Sequence, residues 1–107
     1  MDKFDTFMAI FNKEVSKTAK DLFSGYAKQA VKDASDFIAN TKKDIKTWID
    51  QLSKGEITLD DFEFFLKGQK DLAKMNALKQ KRLGIVQINK FKSALIDIVR
   101  DAVSTVL

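Results

Sequence analysis

The chain has no cysteine, no histidine and no proline, and only four glycines among its 107 residues. Without cysteine there is no disulfide, no thiolate metal site and no thiol nucleophile. Without histidine the commonest general base and the commonest zinc ligand are both missing. Catalysis would fall to Asp, Glu, Lys or Tyr alone. The lack of proline and the scarcity of glycine make helix the default throughout, so an all-α fold is expected. No apolar run approaches the length needed to cross a bilayer. The opening MDKFDTFMAI alternates in charge and lacks the apolar stretch of a signal peptide. A soluble, cytoplasmic protein is the simplest expectation.

What is present suits one helical domain, residues 1–107. Hydrophobic residues make up 45% of the chain and nine of them are phenylalanine, enough for a single packed core. The net charge is +4, which is modest.

The first half carries an eleven-residue repeat. Phe4, Val15, Tyr26, Phe37 and Trp48 fall one period apart, and Met8, Ala19, Ala30, Thr41 and Leu52 form a second row. Eleven residues are three helical turns, so these rows form one apolar stripe along a nearly straight helix. The stripe keeps its phase through Ser24-Gly25. The spacing therefore predicts a long amphipathic helix over about 2–53, bent near Gly25, with two helices meeting at Gly25 as the alternative. Tyr26 and Trp48 are assigned to the core. Lysines and Asp21, Asp33, Asp36 and Asp50 fall on the polar face. The first 57 residues carry 10 basic and 9 acidic side chains, a balance that suits a solvated face better than a nucleic-acid surface. A continuous helix of this length would span roughly 75 Å, and the rest of the chain is too short to cover its stripe.

The stretch DQLSKGEITLDDFEFFL resembles half of a calcium loop. With Gly55 as the loop glycine, Leu52 and Lys54 would occupy ligand positions, and neither can coordinate calcium. A helix-to-helix turn explains the same residues. Gly55 ends one helix in a left-handed conformation, Thr58 caps the next, and Asp61 closes a capping box.

A middle helix is expected over about 58–83, burying Phe62, Phe65, Leu66, Leu72, Ala73 and Met75. An extended connector follows at 85–88, with Asn89 as N-cap of a final helix over about 89–106. That helix has a wide apolar face built on Phe91, Leu95, Ile98, Val99, Ala102 and Val103.

Two functional expectations follow, and neither is enzymatic. No cofactor or metal is implied: Asp60 and Asp61 are accounted for by helix capping, and Asp97 and Asp101 have no second pair or histidine to complete a di-metal site. In the first expectation the stripe of Phe4, Phe7, Met8, Phe11 and Val15 is left uncovered and mediates self-association, most simply as a homodimer, in an assembly or protein-interaction module. The second uses the basic run Lys74, Lys79, Lys81, Arg82, Lys90 and Lys92, which contains no acidic residue, as a phosphate-contacting patch for nucleic acid or an anionic membrane surface.

Overall fold

A computed structural model describes residues 3–69, 74–81 and 83–107. Among them are five helices and no strand: α1 (Lys3–Leu22), α2 (Ala27–Ser53), α3 (Leu59–Lys67), α4 (Asn76–Gln80) and α5 (Ile85–Val106). The all-α bundle expected from the sequence is what forms.

The first 53 residues are helical almost throughout, but they do not make one continuous helix. Ser24 and Gly25, both weak helix formers, sit in a tight turn closed by the Tyr26 N–H donating to the Phe23 carbonyl at 2.8 Å. Phe23 anchors that turn, buried edge-on against Phe91 with ring centroids 5.5 Å apart. The chain then doubles back. Lys3 Nζ donates to Ser53 Oγ at 2.7 Å, bringing the start of α1 to the end of α2. The two helices pack against each other, and the rest of the chain completes the cover of their apolar rows. The radius of gyration of the chain is 13.6 Å, close to the roughly 13 Å of a compact chain this size.

Helix α5 packs along α1, and α3 lies chiefly against α5. Trp48 links α2 to α3 through ring contacts with Phe62 and Phe65. Arg100 of α5 holds α3 through Asp60 at 3.1 Å and Glu63 at 3.2 Å. The core joins Phe7, Phe11 and Phe37 of the hairpin to Phe62, Leu78, Phe91, Leu95 and Val99.

The turn between α2 and α3 follows the sequence closely. Gly55 has φ +74°. The Glu56 N–H donates to Gln51 and the Gly55 N–H to Leu52, the double bond pattern of a left-handed helix stop. Thr58 Oγ1 accepts from the Asp61 N–H at 3.1 Å while Asp61 Oδ2 accepts from the Thr58 N–H at 3.0 Å. Asp50, the first residue of the stretch that resembles a calcium loop, pairs with Lys54 at 3.0 Å.

Elsewhere the structure corrects the expectations. The middle helix ends at Lys67, where Gly68 caps it, and α4 is a separate short helix entered through Met75 in a left-handed conformation, φ 37°. Phe62, Leu66 and Met75 are buried as expected and Phe65 is half-buried, while Leu72 and Ala73 lie outside the described residues. Residues 85–88 are helical rather than extended, with Gly84 as N-cap, and Asn89 is inside the helix. The β-branched penalty of Ile85, Val86 and Ile88 is a few tenths of a kcal/mol each. Burial of Ile88 outweighs it at about 2 kcal/mol. Tyr26 is exposed because it falls in the turn.

Asp33 is also not on the polar face. It is 5% exposed, and its two carboxylate oxygens accept the backbone N–H groups of Ala77 and Leu78, each at 2.9 Å. Helix α4 has no side-chain cap of its own. Asp33 supplies one from across the bundle, satisfying the donors that every helix start leaves open.

Candidate functional site

The five stripe residues expected to form an exposed interface are placed in the core by the hairpin. Phe4, Phe7, Phe11 and Val15 are buried, and Met8 is partly buried against them. Phe4, Phe7 and Phe11 form a ladder of rings, with successive centroids 5.6 and 5.8 Å apart. The argument for an uncovered stripe required a straight helix, and with the reversal at Gly25 that surface does not exist.

The basic run does not form one patch. Lys74, Lys79 and Lys81 are exposed on or beside α4, which packs on α2. Lys90 and Lys92 are two residues apart on α5 and so point in nearly opposite directions. Lys90 lines a groove between α1 and α5 that also contains Asp21 and Asp97, so acidic groups share its surroundings. Lys92 is half-buried. Arg82 lies outside the described residues.

Two apolar surfaces remain open. The α1/α5 groove, about 690 Å³, has Leu22 and Val86 among its lining residues and small or polar ones along its floor, including Thr18, Ser93 and Ala94. The second surface is aromatic and belongs to α3. The capping box fixes where α3 begins. Phe62 and Leu66 then point into the core, with Phe65 beside them on Trp48 at 5.7 Å. Phe64 is turned outward and is 75% exposed. Its ring lies 6.3 Å from that of Phe65. It forms one wall of a hollow of about 550 Å³ that Trp48, Phe65, Lys67, Gly68 and Gln69 also line. A projecting ring and an aromatic hollow therefore occupy the same face.

The charges on this face are ordered. Residues three and four positions from Phe64 share its side of the helix. Asp60 and Asp61 lie on the N-terminal side and Lys67 and Gly68 on the C-terminal side, so the face reads acidic, aromatic, basic. Lys67 is held only loosely, 3.8 Å from Glu63. The sequence contained this signal: in FEFFL, Phe64 is the aromatic that falls off the stripe made by Phe62, Phe65 and Leu66, with Asp61 and Lys67 symmetric about it.

Among the described residues, no group of His, Cys, Asp or Glu side chains could hold a metal ion, and no helix is long and apolar enough to cross a membrane. The chain matches no protein family, no curated protein and no solved structure.

Proposed function

We propose that this chain is a non-enzymatic helical module that self-associates as a twofold dimer through the outer face of α3. The observation that carries the reading is Phe64, 75% exposed and centred between Asp61 and Lys67. When two copies of α3 run antiparallel about an axis through Phe64, Asp61 of each lies opposite Lys67 of the other. The two Phe64 rings then meet at the axis, each backed by Phe65 of its own copy. A parallel arrangement would set like charges against each other. The face is thus complementary to itself, as a twofold contact requires.

The contact is small. Tight complexes bury about 800 Å² per partner, and this face is built from only a handful of residues. Its affinity is weak, with a Kd on the order of 0.1–1 mM once the cost of association is met. A contact of that strength assembles chains where local concentration is high or where several contacts act together.

Sedimentation equilibrium from about 20 μM to about 1 mM tests this directly. The weight-average mass should rise from 12.1 kDa towards twice that value. Phe64→Ala should hold it at the monomer value, and Lys67→Glu should weaken association by setting two carboxylates face to face. A wild-type chain that stays monomeric over the whole range, or a Phe64→Ala variant that associates like wild type, would show the reading to be wrong.

A further inference from the structure

The reversal at Gly25 brings together groups far apart in sequence at the open end of the hairpin. Lys3 of the first turn of α1 bonds Ser53 and shares a cavity with Lys46, Ile49 and Asp50 of the last turns of α2. The cavity, of about 370 Å³, is lined by Lys3, Phe4, Lys46, Ile49, Asp50 and Ser53. Its volume falls at the lower end of the range of small-molecule sites. Its floor is apolar, since Phe4 and Ile49 are both buried.

Lys3 and Lys46 line the cavity and Lys42 stands beside it over the Phe4 ring; none of the three has an ion-pair partner among the described residues. Lys3 Nζ donates to the Ser53 hydroxyl. Lys42 and Lys46 both lie over the Phe4 ring, their Nζ atoms 5.6 and 5.1 Å from its centroid. Asp50 is the one carboxylate among the lining residues, and its charge is paired with Lys54 at 3.0 Å. The ring's negative face attracts both amines and holds them together, where each repels the other. An ammonium group has three donors and no acceptor, so the cluster lacks an anion with several oxygens. The flanking Phe4 and Ile49 offer contact to an apolar group next to that anion.

We infer that the open end of the α1–α2 hairpin is a binding site for a phosphate ester with an apolar group attached to it. The phosphate lies among Lys3, Lys42 and Lys46 and the apolar group lies along Phe4 and Ile49. This site is independent of the α3 face. It also differs from the basic run at 74–92, whose members the fold separates.

Phenyl phosphate is the probe, titrated into the 15N-labelled protein and followed by NMR, with inorganic phosphate in parallel. Phenyl phosphate should bind with a Kd of about 1 mM, shifting Phe4, Lys46, Ile49 and Ser53. Inorganic phosphate should bind about tenfold more weakly for want of the apolar contact. The Lys42→Gln/Lys46→Gln double variant changes only exposed side chains and should lose at least tenfold of the affinity, whereas Lys13→Gln should lose none. Both should weaken as salt is raised, because the site is screened. A parallel arm uses phosphatidylcholine vesicles with and without phosphatidic acid. Vesicle binding that the double variant abolishes would identify the ester as a lipid headgroup. Phenyl phosphate binding without vesicle binding would identify a free ester. Failure of both arms would overturn the inference, as would shifts spread over all lysines or a double variant that binds like wild type.

Discussion

Asp33 and Asp36 lie three residues apart on α2, and their removal should have very different consequences. Asp36 is exposed and pairs with Lys32 at 2.9 Å. Such pairs contribute a few tenths of a kcal/mol. Asp33 is buried, with two short hydrogen bonds to the start of α4. Hydrogen bonds to a charged group are worth about 1.5–3 kcal/mol each, and removing the acceptor leaves two N–H donors without a partner. The Leu78 N–H is buried, so little water can replace the carboxylate there. The loss has a ceiling: α4 can undock instead, exposing Met75 and Leu78, which are both buried and worth about 1.5–3 kcal/mol each. Asp33→Ala should therefore cost about 3 kcal/mol, and Asp36→Ala less than about 0.5 kcal/mol. For a domain this small the larger value lowers Tm by roughly 12–20 °C. Urea unfolding followed by circular dichroism measures both. Hydrogen exchange adds a local readout, with the Ala77 and Leu78 amides losing protection in the Asp33 variant. If the two substitutions prove equally mild, Asp33 is not the cap of α4 and the placement of that helix on α2 is wrong.

Two further outcomes follow from local geometry. Gly55 has φ +74° with open space around its Cβ position, so Gly55→Ala meets no clash and the whole cost is conformational, about 1–2 kcal/mol in urea unfolding. Lys32 titrates above the ordinary lysine value of 10.5 because Asp36 accepts its hydrogen bond and attracts its charge; Asp50 does the same for Lys54. A lysine raised in the folded state adds stability that is present below the unfolded value and lost as pH rises through the raised one. NMR titration of the lysine side chains in Asp36→Asn should move Lys32 down toward the ordinary lysine value and leave Lys54 raised.

The helical class and the Gly55–Asp61 turn were legible because both rest on local chemistry: propensity, a glycine at positive φ, and a capping box within four residues. The reversal at Gly25 was hidden by arithmetic. The turn between Leu22 and Ala27 occupies about as many residues as one helical turn. The eleven-residue rows therefore run through it without a phase shift, and a hairpin and a straight helix leave the same pattern. Tyr26 was the clue, a polar-tipped ring at the one row position that the turn exposes. Asp33 was unreadable for a different reason. A carboxylate on a helix looks solvated until its partner, 44 residues away, is known. The same holds for the cluster of Lys3, Lys42 and Lys46, which only the folded hairpin assembles. The connector at 85–88 misled because β-branched residues lower helix propensity by less than burial of one isoleucine returns.

Both proposed surfaces depend on the hairpin. It buries the N-terminal stripe, leaving α3 as the exposed aromatic face, and it builds the lysine cavity. The decisive measurement is therefore the distance across it. The chain has no cysteine, so Asp5→Cys and Gln51→Cys give two unique sites for spin labels, read by double electron–electron resonance. Labelled protein is diluted about tenfold with unlabelled chain, so that only distances within one molecule contribute. The hairpin predicts a single short distance, below roughly 25 Å once label length is added to the lateral spacing of packed helices. A population near 70 Å, the span of about 46 residues of unbroken helix, would contradict the fold and both surfaces built on it.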